Sequence, residues 1–289
     1  MVRAKTLKAA MKKRRAGETL RGRAIGLFFE RPSTRTRTSF EVAIERLGGH
    51  TINLAANELQ TSRGEPIKDT ARMLGRYLDA IVGRVASHET LVELAKYSGI
   101  PVINGLSNLE HPTQVISDLF TILESKGKVG GLTVAFIGDG DNVCNSLLLG
   151  TAMLGANMVA ACPEGYAPNP LVLRRAKETA ERSGSWIKVV NSPEEAAEGA
   201  DVLYTDVWVS MGEEKETGRR MRAFEGFQVN SHIVRLAKKG AVVMHCLPAH
   251  RGLEITDEVI ESPQSLVWEQ AENKLYGAGA ILEKIVNSD

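Results

Sequence analysis

Three hydroxyls and two guanidiniums occupy five consecutive residues, Ser33-Thr34-Arg35-Thr36-Arg37, just after the apolar pair Phe28-Phe29 and the turn Arg31-Pro32. Ser33 stands where a helix cap is expected, so free backbone N–H groups and the positive end of a helix dipole converge there. Arginine adds a planar fork that matches phosphate oxygens. A capped surface helix with solvated arginines is the ordinary fate of such a run. These arginines follow a buried strand instead of lying on a polar face, and the segment reads as a phosphate site. Further polar groups close apolar runs or follow them. Arg84 is near the end of 80–85, His111-Pro112-Thr113-Gln114 opens a long helical period, Asp206 follows 202–205, and Cys246-Leu247-Pro248 follows 241–245. Taken singly, a histidine before a helix is more often a cap or core residue, and a cysteine after an apolar run is usually a small buried hydrophobe.

Short apolar runs alternating with helical periods must position these groups, a pattern of α/β type with parallel strands. Strands are predicted at 24–29, 52–54, 80–85 and 102–104 in the first half, with helices at 34–47, 67–77, 90–97 and 112–125. The second half carries predicted strands at 132–137, 158–162, 187–190, 202–205 and 241–245, and helices at 143–154, 171–181, 193–198 and 231–237. The uninterrupted apolar run 132–137 is what a strand buried on both faces shows. The expected fold is two doubly wound parallel-sheet domains with a cleft between them, ligands lying beyond the carboxyl ends of the strands. Residues 1–120, joined by a C-terminal helix within 272–289, form one domain and 121–271 the other.

Ser33-Thr34-Arg35-Thr36-Arg37 resembles the phosphate-binding signature of the aspartate and ornithine carbamoyltransferase family. Arg84, His111-Pro112-Thr113-Gln114, Asp206-Val207-Trp208-Val209-Ser210-Met211-Gly212 and His245-Cys246-Leu247-Pro248 resemble the family's later motifs, in its order; the last two are similar to its ornithine-using members. The resemblance runs from Arg21 onward, and the family's first helix is expected to be shortened or absent here. It implies transfer of a carbamoyl group from carbamoyl phosphate to the δ-amine of ornithine. Ser33, Thr34, Arg35, Thr36, Gln60, Arg84, His111, Gln114, Cys246, Leu247 and Lys274 are implied to bind carbamoyl phosphate. Arg84, His111 and Cys246 are implied to be catalytic. Asn142, Asp206, Ser210 and Met211 are implied to hold ornithine, and Gly212 with the charged stretch 213–222 suits a loop that closes over substrate. Gln60 resembles a residue that the family gives to a neighbouring subunit's site, which implies a homotrimer or a multiple of trimers. No metal and no organic cofactor is implied. Three departures stand out: Asp141-Asn142 where the family has two asparagines, Lys274 where it has arginine, and Gly277 and Gly279 near the expected start of the last helix, 275–286.

Composition narrows the classes. The formal net charge is +1, from 36 basic and 35 acidic residues, which argues against a general nucleic-acid binder. No apolar run approaches the roughly 18–20 residues of a membrane span. Residues 1–23 lack the apolar core of a secretion signal, so a cytoplasmic location is expected. Cys144, Cys162 and Cys246 are odd in number and lack CxxC spacing, which disfavours a disulfide framework or structural zinc. The rival readings are the same chemistry on putrescine, an acylated ornithine or aspartate; a non-catalytic family member; and a nucleotide-binding oxidoreductase. The last rests on Gly138-Asp139-Gly140-Asp141-Asn142 after 132–137, a turn without the G-x-G-x-x-G spacing.

Overall fold

The computed structural model describes residues 1–13, 15–210 and 214–287. The chain divides into two compact units, 1–120 with 272–289, and 121–271. In chain order the first holds α1 (Val2–Lys12), β1 (Ala24–Phe29), α2 (Thr34–Arg46), β2 (His50–Ala55), α3 (Ile67–Leu74), β3 (Ala80–Arg84), α4 (His88–Ser98), β4 (Val102–Leu106) and the start of α5 (Pro112–Lys126). Its four strands are parallel in the order β2-β1-β3-β4. Successive side chains of a strand face opposite sides. Ile25 and Leu27 of β1 accordingly join a core with Phe40 and Ile44 of α2, whereas Phe28 joins Leu74, Leu91 and Leu94 of α3 and α4.

The second unit runs through β5 (Thr133–Ile137), α6 (Asn142–Met153), β6 (Asn157–Ala161), α7 (Pro170–Ser183), β7 (Ile187–Val190), α8 (Pro193–Ala197) and β8 (Val202–Thr205). It continues through α9 (Thr217–Ala223), α10 (Ser231–Leu236), β9 (Val242–His245) and α11 (Asp257–Ile260) into α12 (Val267–Val286). Its parallel strands lie in the order β7-β6-β5-β8-β9. From β5 the chain winds outward through β6 to β7, then returns to lay down β8 and β9 on the other side. The strand order reverses between β5 and β8, and in the first sheet between β1 and β3. At such switch points the loops at the carboxyl ends diverge and leave room for a ligand.

Three expectations need correction. The first helix, expected to be shortened or absent, is present: α1 buries Ala4, Leu7 and Met11 in the first core. Arg3 of α1 makes a two-pronged ion pair with Glu283 of α12, at 2.6 and 2.7 Å. Of the stretch 213–222, read as a charged loop, residues 217–222 belong to α9. The last helix begins at Val267, so Gly277 and Gly279 lie in its interior. They are there for packing. A Cβ on Gly277 would stand 2.3 Å from Ser117 Oγ of α5, and one on Gly279 would stand 3.3 Å from Leu7 of α1.

Candidate active site

The first unit gathers its candidates at the switch between β1 and β3. Phe29, the last residue of β1, is paired in register with Arg84, the last of β3, and Glu30 N–H donates to the Arg84 carbonyl at 2.9 Å. Arg84 is thereby set beside the turn that opens α2. Ser33 occupies the N-cap position in extended backbone (φ −154°, ψ 109°) but makes no capping bond through its hydroxyl. Thr34 is exposed, Ser33 and Arg35 are half-buried, and Thr36 is buried. From α12, Lys274 Nζ donates to Gln114 Oε1 at 2.6 Å and to Thr36 Oγ1 at 3.3 Å, and Gln114 Nε2 donates to Asp118 at 2.8 Å. Arg84, His111, Gln114 and Lys274 are all buried.

Burial, reinforced by the charges of Lys274 and Arg84, holds the His111 imidazole well below its ordinary pKa. It is a neutral ring at neutral pH, able to donate one hydrogen bond without adding a third charge. Two buried cations, a neutral donor and a helix start make a set suited to a small anion with an adjoining carbonyl. Gln60 is exposed in the short 3-10 turn Gln60–Arg63 beyond β2.

The second unit gathers its candidates at the ends of β5, β8 and β9. Register pairs Ile137 with Thr205 and Thr205 with His245, so Asp206 and Cys246 follow adjacent strand ends. Asp206 accepts a hydrogen bond from the Cys246 thiol and one from Val207 N–H at 2.8 Å. Burial raises the Asp206 pKa; His245 and those two bonds act against it. At the head of α6, Asp141 accepts from Asn142 Nδ2 at 2.9 Å and from Ser210 Oγ at 3.3 Å. The extra carboxylate at this departure from the family is thus bonded to two of the predicted ornithine residues. Met211 lies outside the described residues. Cys246 and Leu247, expected in the carbamoyl-phosphate set, belong to the second unit.

Sequence reasoning quoted His245 without a role and overlooked Glu254. Both are completely buried. His245 Nδ1 accepts from Leu247 N–H at 2.8 Å, so the proton is on Nε2, which faces Glu254 Oε1 at 3.0 Å. Leu247 has φ +58°, the sole non-glycine at positive φ among the described residues. Leucine adopts that backbone when its surroundings enforce it. Here the enforcing group is His245, itself anchored by Glu254. The available signal was an acidic residue nine positions after His245, close behind the His-Cys-Leu-Pro motif. Ligand atoms of Asp206, His245 and Cys246 lie within 4.8 Å of one another, the arrangement of a metal site. Both His245 nitrogens are already engaged, which removes it as a ligand.

The turn after β5 is closed on one side. A Cβ on Gly140 would stand 2.3 Å from the Pro168 nitrogen and 2.6 Å from the Tyr166 carbonyl oxygen. A pyrophosphate approaching that face meets the 166–168 backbone, which counts against the dinucleotide reading. No helix among the described residues is long and apolar enough to cross a membrane.

Two family models match the chain. The carbamoyl-P binding domain of aspartate/ornithine carbamoyltransferase matches residues 1–124, and the Asp/Orn binding domain matches 130–285. The chain is 52% identical over 270 residues to an ornithine carbamoyltransferase of Archaeoglobus fulgidus, covering 93% of this chain and 87% of that one. It is 50% identical over 273 residues to a catabolic ornithine carbamoyltransferase of Thermoplasma volcanium, covering 94% and 90%. Among solved structures it is similar to ornithine carbamoyltransferase from Pyrococcus furiosus, with TM-score 0.96 and 48% identity over 99% of this chain and 92% of that one.

Proposed function

The chain belongs to the aspartate/ornithine carbamoyltransferase family, and we propose that its two groups of residues serve one reaction. It is a carbamoyltransferase that uses ornithine as acceptor, converting carbamoyl phosphate and L-ornithine to L-citrulline and phosphate. The observation that carries the choice of acceptor is the Asp206–Cys246 pair at neighbouring strand ends, in a chain about half identical to ornithine-using relatives. An ionised Asp206 suits an α-ammonium, and Asn142, Ser210 and Met211 suit the amino-acid end. Aspartate has a single amine, which would have to be the nucleophile, so it leaves Asp206 no ammonium to pair with and brings a second carboxylate instead.

In this reading the phosphate is held by Ser33, Thr34, Arg35, Thr36 and Arg84, with Gln114 and Lys274 on the carbamoyl side. Arg84, His111 and Thr36 polarise the carbonyl where negative charge develops. An alkylamine with a pKa of about 10, by analogy with lysine, is mostly protonated at neutral pH, so the site must favour its neutral form. Cys246 and the Leu247 backbone are the groups that receive that amine. Its lone pair forms the C–N bond, and the carbonyl π pair moves to oxygen. On collapse the C–O bond to phosphate breaks, and the departing phosphate takes the amine proton. Alignment and electrostatics supply the acceleration. Relatives include proteins named catabolic and anabolic, and the same residues serve both directions by microscopic reversibility.

Exposed Gln60 supports a site completed by a neighbouring subunit in a homotrimer or a multiple of trimers, checked by the mass from light scattering. Three cysteines in the thiol form support a reducing, cytosolic setting. A colorimetric ureido assay with carbamoyl phosphate and ornithine, putrescine, N-acetylornithine or aspartate tests the function. Product with ornithine alone is expected; product with another amine only would overturn the acceptor.

A further inference from the structure

One buried cation takes no part in the chemistry above. Arg220 of α9 is 6% exposed. Its guanidinium donates to the Asp139 carboxylate and, at 3.0 Å, to the Trp208 carbonyl oxygen, and it lies 5.0 Å from the centre of the Tyr166 ring. These partners come from three loops: Asp139 follows β5, Tyr166 follows β6, and Trp208 follows β8. The strands are neighbours in the sheet. The β5 loop continues into Asp141 and Asn142, and the β8 loop carries Trp208 between Asp206 and Ser210. Arg220 therefore bonds to both segments that bear the acceptor residues.

Packing alone could dock α9. Phe224 stacks on Trp208 with ring centres 6.0 Å apart and meets Tyr166 edge-on at 4.8 Å. Burying an ion pair beside that aromatic cluster is costly in desolvation, and such a pair is a weak source of stability. What the guanidinium adds is geometry: its planar Nη1 nitrogen carries two N–H groups in fixed directions, and these hold acceptors on two loops at once.

We propose that Arg220 is a positioning residue for the acceptor, setting the separation between Asn142 on one side and Asp206 and Ser210 on the other through Asp139 and the Trp208 carbonyl. This rests on the ornithine reading and deepens it. Acceptor binding depends on Arg220 while carbamoyl-phosphate binding does not. Discrimination by chain length also depends on it, because two loosened segments tolerate lysine, one methylene longer than ornithine.

Steady-state kinetics of full-length Arg220→Met, Arg220→Lys and Asp139→Asn test this, each substrate being varied in turn, with ornithine or lysine as acceptor. Arg220→Met and Asp139→Asn should raise the ornithine KM about tenfold or more, leave the carbamoyl-phosphate KM within about twofold, and narrow the preference for ornithine over lysine. Arg220→Lys should recover part of the loss by keeping the charge opposite Asp139. Parallel rises in both KM values, or an unchanged ornithine-to-lysine ratio, overturn the proposal. Should Arg220→Met fail to fold, Asp139→Asn and Arg220→Lys read the same split, and its absence there is equally fatal. Wild-type enzyme inactive on ornithine would sink the acceptor assignment instead. In that case the positioning claim is read from emission of buried Trp208, which should shift to the red in Asp139→Asn; unchanged emission overturns it.

Discussion

Replacing Gly277 by alanine sets two effects of similar size against each other, and the structure decides the sign. Alanine in a helix interior is favoured over glycine by about 1 kcal/mol. The new Cβ, however, would stand 2.3 Å from Ser117 Oγ and 3.3 Å from Ser117 Cβ. Ser117 is fully buried, and its hydroxyl donates to the Thr113 carbonyl at 3.0 Å. Turning the hydroxyl aside forfeits a bond worth about 0.5–1.5 kcal/mol. Pushing α12 off α5 is overpacking at about 1–3 kcal/mol. Because the Cβ also stands 3.3 Å from Ser117 Cβ, both costs are incurred, and the balance is a loss of roughly 0.5–3.5 kcal/mol, at about 2–4 °C in Tm for each kcal/mol. In a Ser117→Ala background the 2.3 Å contact is gone, and Gly277→Ala becomes neutral or mildly stabilising. The clash then appears as coupling in a double-mutant cycle followed by thermal denaturation. Lys274 lies one turn earlier on α12 and bonds Gln114 on α5. The carbamoyl-phosphate KM should therefore rise in Gly277→Ala and recover in the double variant. A gain in stability with Ser117 present, or the same loss in both backgrounds, would refute the packing argument.

Two pH effects follow from buried groups. His111 is held below its ordinary pKa of 6.5 by burial and by Lys274 and Arg84, so below that pH the unfolded chain takes up a proton that the folded chain refuses. Stability relative to His111→Gln should fall by about 1.4 kcal/mol per pH unit below pH 6.5 and be constant above it; urea titrations showing no such difference would exclude a buried neutral ring. Asp206 has the opposite sign: its raised pKa means that ionisation costs stability above that value and nothing well below the ordinary one. Asp206→Asn should therefore be the more stable protein at neutral pH, yet bind ornithine about 10–100-fold more weakly for want of a charged hydrogen bond. It should also lose the wild-type decline in ornithine affinity as pH falls towards the raised value, and a variant unchanged in ornithine KM would remove Asp206 from the acceptor site.

All nine strands among the described residues were legible in the sequence, most plainly β1, β3, β5, β6, β8 and β9, which are buried along nearly their whole length and so read as apolar runs. The α/β class follows from that alternation. Helices without such a mark were lost: α1 buries three residues, α9 hides in a charged stretch, and α12 is longer than its polar start and two glycines suggest. Those glycines make sense only beside Ser117 and Leu7, partners far away in the chain.

The chemistry-bearing residue types, and their places at the ends of apolar runs, are likewise properties of the linear chain. Which strand ends become neighbours is not. Phe29 meets Arg84, and Asp206 meets Cys246, because the sheet orders β2-β1-β3-β4 and β7-β6-β5-β8-β9 bring them together. Arg220 reaches Asp139 across 81 positions, and the Glu254–His245 pair holds Leu247 at φ +58°. Local pattern records how each segment buries its own apolar face. Sheet order, buried ion pairs and enforced backbone come from contacts between segments distant along the chain, and these form when the segments pack.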